Sequence, residues 1–490
     1  MTPKSETPVR HVDVAVLGAG FAGIAMAARL VSRGIRDFVV IERADDVGGV
    51  WRDNTYPGAA CDIRSDVYSL SFAPNPDWSR SYGTRAEIHD YLRSTARSLG
   101  LYEHMLFGHE LESAVWDATA ARWNLSTSQG DLTARVLVSG HGPLIDPVWP
   151  TVPGLESFAG PRFHTARWDH SVDLTGKRVA VIGTGASSIQ VVPEVAKIAG
   201  HLTVFQRSAP WIIPRNDKPT SARRRRAFRR FPVLQRLARR LQFLRADTNF
   251  LGFRYKAVGT AAAQQSLAFL RKQVTDPELR AKLTPHYRIG CKRILVTSEY
   301  YPALTRPNVT LETNAITAVN GSAILTDDGM RHEIDVIIGG TGFSATEPSV
   351  AKLLRGTDGR TLKEHWSPHT AALRGTTVPG FPNLFLINGP NTILSHNSMI
   401  YIIESQVDYV LQALDATSGG TIEATLEAAR VYNDALQETL RDSVWMTGGC
   451  SSYYIDADGR NTVTWPHSAR AFRGAVRRLD AREYSITPAG

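Results

Sequence analysis

Two glycine-rich segments have the residue types and spacing of loops that bind dinucleotides. In the first, Gly18, Gly20 and Gly23 follow the apolar run 12–17. The first glycine permits a tight turn, the second lets the backbone approach a pyrophosphate, and the third lets helix and strand pack closely. The helix that begins there offers unpaired N–H groups to the anion. Glu42 ends the next strand-like run, 24 residues after Gly18, where its carboxylate would accept hydrogen bonds from ribose hydroxyls.

The second segment repeats this pattern with one substitution and one reversal of charge. Gly183 and Gly185 are present, but Ser188 replaces the third glycine, which we expect to loosen helix–strand packing slightly. Arg207 lies 24 residues after Gly183, where the first segment has Glu42. A guanidinium binds a 2′-phosphate that a carboxylate would repel. The second nucleotide is therefore predicted to be NADP(H), with further contacts from Thr184, Ala186, Ser187, Gln190 and Ser208.

The opposite charges at these two positions predict an enzyme that holds FAD in the first site and NADPH in the second. A cofactor is needed because no side chain can accept a hydride and pass its electrons on. Cys61, Cys291 and Cys450 lie far apart and form no CxxC, so we expect no disulfide framework, no zinc or other metal site and no redox dithiol. Oxygen chemistry is then favoured over disulfide reduction, and a reducing cytoplasm is the expected location.

The elements that must position these loops are those of a parallel α/β fold. The 490 residues exceed one compact core, and strand–turn–helix patterns recur near 12–42 and 177–207. We predict two Rossmann-like dinucleotide-binding domains: FAD-binding residues 1–145, a linker over 146–176, NADPH-binding residues 177–330 with a helical insertion at about 219–285, and a second FAD-binding part over 331–490. The apolar runs 336–338 and 384–387 are expected to return the chain to the first domain. No signal peptide and no membrane span is expected.

Basic charge is concentrated in one segment. The net charge is +9, yet residues 218–245 alone hold ten arginines, one lysine and no acid. Because the rest of the chain is nearly balanced and lacks a groove-reading pattern, a nucleic-acid partner is not expected. Leu234, Leu237, Leu241 and Leu244 recur at helical spacing in this segment. A solvated helical face that attracts NADPH is favoured over contact with an anionic membrane surface.

Longer motifs resemble one family. The linker sequence FAGPRFHTARWD matches the fingerprint FxGxxxHxxxW(P/D) of type I Baeyer–Villiger monooxygenases, which are class B flavoprotein monooxygenases, through Phe158, Gly160, His164, Trp168 and Asp169. A second family pattern, GGxWxxxxYPGxxxD, occurs through Gly49, Trp51, Tyr56, Pro57, Gly58 and Asp62. GTGF at 340–343 resembles the family motif ATGF, with Gly340 in place of alanine, and the segment 290–301 resembles the one that carries the active-site arginine.

The resemblance implies that NADPH and O₂ are used to convert ketones into esters or lactones, through a C4a-peroxyflavin and a Criegee adduct. It assigns Arg293 to catalysis with Asp62 as its acidic partner, and places Lys292 with Arg207 on the 2′-phosphate. It also couples His164 to nucleotide binding rather than to proton transfer. The contacts expected on the flavin side are Val50, Trp51, Asp62, Tyr68 and Met399. The loops 343–360 and 440–455 are expected to shape the substrate site.

Three other functions stay open at this point. The nearest is a heteroatom oxygenase of the flavin-containing monooxygenase type that attacks sulfides or amines, because the protonated flavin peroxide is an electrophile. A plain NADPH oxidase and a membrane-surface protein that retains flavin without turnover are the others. The nucleotide site around Arg207 and the Arg293 segment argue against the last of these.

Overall fold

The computed structural model describes residues 9–489, and its strands alternate with helices as the two sequence repeats predict. Numbered in chain order, the strands are β1 Arg10–Leu17, β2 Phe38–Glu42, β3 Met105–Phe107, β4 Leu111–Asp117, β5 Arg122–Thr127, β6 Gly130–Ser139, β7 Arg162–His164, β8 Arg178–Ile182, β9 His201–Phe205, β10 Ile212–Ile213, β11 Leu295–Val296, β12 Val309–Glu312, β13 Ile316–Asn320, β14 Ala323–Thr326, β15 Arg331–Glu333, β16 Val336–Gly339, β17 Leu354–Arg355, β18 Leu384–Leu386, β19 Thr421–Ala424 and β20 Tyr484–Thr487.

The helices complete the two α/β units and fill the space between them. They are α1 Phe21–Ser32, α2 Val50–Asp53, α3 Arg85–Ser98, α4 Ser188–Val195, α5 Ala222–Arg230, α6 Pro232–Thr248, α7 Phe250–Arg254, α8 Lys256–Gln273, α9 Pro277–Lys282, α10 Tyr300–Leu304, α11 Leu362–His365, α12 Met399–Thr417, α13 Leu426–Arg441, α14 Val444–Thr447 and α15 Ala469–Ala475. Within residues 9–489, none of them combines the length and the apolar character that crossing a membrane requires.

The first sheet carries the first glycine loop at the carboxyl end of its central strand. Its eight strands run in the order β17-β4-β5-β6-β1-β2-β3, and β18 pairs with β6. β1 pairs in parallel with both β2 and β6. The side chains of β1 from Val14 to Leu17 are all buried, as expected for a strand in a parallel sheet that is covered on both faces. The run 384–387 was predicted to return the chain to this sheet, and the pairing of β18 with β6 confirms it.

The second sheet holds the second glycine loop in the same way. Its five strands run in the order β12-β9-β8-β16-β7, and all neighbouring pairs are parallel. Part of the predicted linker belongs to this sheet, since its residues Arg162–His164 form the edge strand β7. The expectation that 336–338 rejoins the first domain is wrong, because β16 pairs with β8. A short apolar run fits the interior of either parallel sheet, so only strand pairing decides its place.

The helices α5 to α9 lie between β10 and β11, where the sequence predicts a helical segment. Arg224 and Arg229 join this segment to a loop of the first unit, through ion pairs of 2.8 Å with Asp66 and 2.7 Å with Asp77. At the far end of α6, the buried carboxylate of Asp247 accepts the backbone N–H of Ala469 at 2.7 Å. The helices α5 and α6 are thus held at both ends to the unit that contains the first sheet, the flavin-side unit, so named because the sequence predicts FAD there.

One expectation about the cysteines is wrong. Cys291 and Cys450 form a disulfide, with Cα atoms 6.2 Å apart across 159 residues of sequence, while Cys61 is free and buried. Spacing alone cannot reveal such a pair, because the bond depends on two distant loops meeting in three dimensions. It links the segment before Arg293 to the loop 448–455.

Candidate active site

The first glycine loop has the geometry that its sequence predicts. Gly18 adopts φ +87°, a conformation that favours glycine. A Cβ on Gly23 would lie 1.8 Å from the carbonyl oxygen of Gly18, so a larger residue would push helix α1 away from β1. A Cβ on Gly20 would meet only the backbone of Gly49, 3.7 Å away. Two glycine backbones thus approach each other beside the N-terminus of α1, which suits a pyrophosphate.

Glu42 lies at the end of β2 and is almost fully buried. Its carboxylate accepts the backbone N–H of Ala19 at 2.8 Å and that of Ala44 at 3.0 Å. Arg52 completes the arrangement with an ion pair of 3.1 Å. Sequence reasoning missed Arg52 because nothing near it in the chain marks Glu42 as its partner. The carboxylate is fixed beside the glycine loop, and its bond to a ribose stays a prediction.

An aromatic group borders the same loop. The indole of Trp51 donates to the hydroxyl of Tyr68 at 3.0 Å, and the ring of Tyr68 packs edge-on against Phe21. Burial raises the pKa of Tyr68 well above its usual range, so the phenol stays protonated. Met399 begins α12 and packs against the same apolar core as Trp51 and Tyr68. Val50, the first residue of α2, is half-buried next to Gly49.

Asp62 and Arg293 form the ion pair that the resemblance implies. Nη2 and Nε of Arg293 both donate to Oδ2 of Asp62, at 2.6 and 3.0 Å, although 231 residues separate them. The Asp62 carboxylate raises the pKa of Arg293, which is therefore a permanent cation. Tyr454 and Tyr453 lie close enough to add to that rise. The loop 440–455 therefore reaches Arg293, and its two tyrosines are neighbours that the sequence did not single out.

The second glycine loop has Ser188 at the position of the third glycine, packed against the segment 340–343. Gly183 adopts φ +106°, and a Cβ there would lie 2.5 Å from the carbonyl oxygen of Gly340. Ser188 is fully buried and its hydroxyl donates to the same oxygen at 3.3 Å. A Cβ on Gly340 would lie 1.9 Å from that hydroxyl. The two departures from the motifs therefore fill one space together, while the effect of Ser188 on helix–strand packing stays a prediction.

A basic cluster follows this loop. The ammonium of Lys292 donates to the hydroxyl of Ser208 at 2.8 Å. Burial lowers the pKa of Lys292, and the nearby charge of Arg207 lowers it further. Two cations and a hydroxyl therefore lie together at the end of β9, as the resemblance implies for a 2′-phosphate.

The other residues predicted to contact the second nucleotide divide into two groups. Gly185 and Ala186 are exposed at the tip of the loop, and Ser187 precedes helix α4. Thr184 donates to the backbone carbonyl of Ser208 at 3.2 Å. Gln190 is engaged by the flavin-side unit, since it accepts from the Tyr56 hydroxyl at 2.9 Å and donates to the Ala60 carbonyl at 2.9 Å. Gln190 thus joins the two units in this structure, and its contact with a nucleotide stays a prediction.

His164 lies at the end of β7, buried between Trp149 and Phe343. Its Nδ1 accepts the backbone N–H of Ala166 at 3.1 Å. Burial lowers the pKa of His164 to about 4, so the ring is neutral near pH 7. Because it packs against Phe343, at the end of the segment 340–343, it connects the linker to the segment whose Gly340 contacts the second glycine loop. This position agrees with a coupling role and gives no sign of a general base.

Comparison with known proteins shows which family has a sequence like that of this chain. Residues 11–358 match the flavin-binding monooxygenase-like family. A protein of Streptomyces coelicolor named Baeyer-Villiger monooxygenase is 46% identical, over 97% of this chain and 93% of its own. A protein of Pseudomonas aeruginosa with the same name is 44% identical, over 99% of this chain and 93% of its own. The chain belongs to this family, in its Baeyer–Villiger group.

Solved structures extend the match to the whole fold of this family member. The closed crystal structure of a cyclohexanone monooxygenase has a TM-score of 0.88 at 28% identity, covering 98% of this chain and all of that one. A steroid monooxygenase solved with bound NADP has a TM-score of 0.87 at 32% identity, with the same coverage. The resemblance deduced from the linker and the GGxW segment is thereby confirmed.

Proposed function

We propose that this protein uses FAD, NADPH and O₂ to convert ketones into esters or lactones. The observation that carries this proposal is the cation of Arg293, held by Asp62 between the two nucleotide loops. Asp62 and Arg293 both lie near enough to Tyr68 to influence its pKa, which puts the pair beside the aromatic group on the flavin side. Lys292, which is adjacent to Arg293 in the chain, belongs to the basic cluster of the second nucleotide loop and donates to Ser208.

The residues present fit both cofactors. Gly20 and Gly49 leave a backbone cradle for the pyrophosphate of FAD, and Trp51 and Tyr68 offer ring surface near it. Arg207, Ser208 and Lys292 would hold the 2′-phosphate that distinguishes NADPH. When bound and reduced, the flavin supplies the electrons that activate O₂ for insertion beside a carbonyl.

The geometry of Arg293 suits stabilisation of a developing oxyanion. Its Nε and Nη2 are both taken by one oxygen of Asp62, and Nη1 has no hydrogen-bond partner among residues 9–489. The paired carboxylate fixes the guanidinium plane while one donor group stays available. Preorganised donors of this kind cost no reorganisation during the reaction, and removing one typically lowers kcat by about 10²–10³-fold.

The test combines product analysis with one variant. The protein with FAD and NADPH would be offered cyclic, linear and aryl ketones and one sulfide, and esters or lactones are expected from at least one ketone. Sulfoxide formation with no ester from any ketone would overturn the proposal in favour of a heteroatom oxygenase.

The variant Arg293→Ala should keep flavin reduction by NADPH, read from the flavin absorbance, and lose ester formation. Arg288→Ala is the matched control, because Arg288 lies just before the same segment but is exposed, and among residues 9–489 its side chain hydrogen-bonds only to Thr447. Esters formed by Arg293→Ala at the parental rate would remove Arg293 from the mechanism. Retained flavin reduction shows that the variant is folded.

A further inference from the structure

The outward face of α6 is apolar, the reverse of what a helix on a protein surface normally shows. Leu234, Leu237 and Leu241 are spaced by three and four residues and are 46%, 51% and 59% exposed. Val233 and Phe231 extend the face at its N-terminal end, at 66% and 55% exposed. Such a continuous apolar surface on a chain of otherwise ordinary composition marks an interaction site.

The opposite side of α6 is already occupied. The amide of Gln235 donates to the carbonyl of Asn75 at 2.7 Å, and the ring of Phe243 lies 4.4 Å from that of Tyr401. Asp247 is fixed by Ala469, as described above. The helix therefore cannot turn its leucines inward without breaking these contacts.

All the arginines of residues 218–245 except the half-buried Arg225 fall into two groups. Arg224, Arg229 and Arg239 hold the segment to the flavin-side unit, with Arg239 donating to the Ser69 hydroxyl at 3.0 Å. A second group is exposed and makes no salt bridge within residues 9–489: Arg223, Arg226, Arg230, Arg236, Arg240 and Arg245. On the helix, Arg236 and Arg240 border the leucines on one side and Arg245 lies on the other.

We infer that this leucine face and its bordering arginines form a docking surface for an anionic lipid bilayer. A helix with an apolar stripe flanked by arginines lies in the plane of the headgroups, with its leucines in the acyl boundary. Each arginine near an anionic leaflet strengthens binding roughly fivefold. The sequence alone favoured a solvated face, and the exposure of the three leucines reverses that preference. The inference is independent of the catalytic proposal.

The combination of positive charge and apolar surface decides between a lipid bilayer and the other partners that could cover this face. A second copy placed face to face would bring two sets of unpaired arginines together, which is repulsive. A nucleic acid would satisfy the arginines but would leave the leucines in contact with water or phosphate. An anionic bilayer, which is charged at its surface and apolar beneath it, matches both features.

The test is cosedimentation of the holoprotein with vesicles. Binding is expected to phosphatidylcholine vesicles that contain phosphatidylglycerol, to decrease with added salt, and to be weak with phosphatidylcholine alone. Arg236→Gln with Arg240→Gln should weaken binding by roughly 25-fold, from about fivefold per arginine. Leu234→Ser, Leu237→Ser and Leu241→Ser together should abolish it.

The matched control is Leu426→Ser with Val431→Ser, which removes apolar side chains that are 73% and 52% exposed from a different helix, α13. It should bind like the parent, and all variants should keep the parental rate of flavin reduction. Three results would overturn the inference. They are no sedimentation with anionic vesicles at low salt, sedimentation that the leucine variant leaves unchanged, and dimerisation without lipid that the leucine variant abolishes.

Discussion

Replacing Gly340 with alanine tests the packing between the second glycine loop and the GTGF segment. The new Cβ would lie 1.9 Å from Oγ of Ser188, a distance that real Cβ atoms essentially never show, and 3.2 Å from its Cβ, which is a tight contact. The Ser188 hydroxyl can rotate away, but the residue has no exposed surface to rotate into and would lose its bond to the Gly340 carbonyl. Overpacking of this kind costs about 1–3 kcal/mol, and we expect about 2 kcal/mol for Gly340→Ala.

The double variant makes this prediction specific. Ser188→Gly empties the contested space, so Ser188→Gly with Gly340→Ala should be less destabilised than the sum of the two single variants, with a coupling of about 1–2 kcal/mol. For a domain of about 150–250 residues, such as the one that contains the second glycine loop, a loss of about 2 kcal/mol corresponds to a fall in Tm of roughly 4–8 °C. The assay is thermal unfolding, with the KM for NADPH as a local readout.

Gly474 provides the control for the added methyl group, because a Cβ there has no neighbour within 4 Å and the residue lies in helix α15. Gly474→Ala should leave Tm unchanged or raise it slightly. The reasoning is refuted if Gly340→Ala melts within about 1 °C of the parent, or if the double variant is as unstable as the two single effects added together.

Three further predictions follow from single sites. Burial lowers the pKa of His164 to about 4, below the value near 6.5 of an unfolded histidine, so protonation favours unfolding. The free energy of unfolding should therefore fall by about 3 kcal/mol as the pH drops from 6.5 to 4, and should fall less in His164→Asn. Thermal unfolding measured against pH would show the difference. Arg207→Gln should raise the KM for NADPH about 10- to 100-fold and leave that for NADH almost unchanged in steady-state assays, and equal changes for both would contradict the assignment. Cys450→Ser should free Cys291, give two titratable thiols after unfolding without reductant, and cost about 2–4 kcal/mol in stability; three thiols in the unfolded parent would exclude the disulfide.

The two nucleotide loops could be predicted from the sequence because their determinants are local. The tight turn after each buried strand needs a glycine, Gly18 in the first loop and Gly183 in the second, because its backbone has a positive φ. The side chain at the end of the next strand then lies at a fixed distance from that turn. The contrast between Glu42 and Arg207 could therefore be interpreted without coordinates.

Contacts between distant parts of the chain were decided only by the tertiary structure. The bond between Asp62 and Arg293 was implied by resemblance alone, and the disulfide was not expected at all. Ser188 and Gly340 each departed from a motif, yet only their contact shows that one departure accommodates the other.

The sequence by itself thus determined the two glycine loops and the charge that distinguishes their nucleotides, because short-range sterics and the geometry of one strand–turn–helix unit control both. The tertiary structure decided which sheet contains β16, which cysteines meet, and that Leu234, Leu237 and Leu241 of α6 face outward. Helical spacing places those leucines on one side of the helix, but the direction of that side depends on what packs against the other. Here Gln235, Phe243 and Asp247 are held by the flavin-side unit, and the leucines are left at the surface.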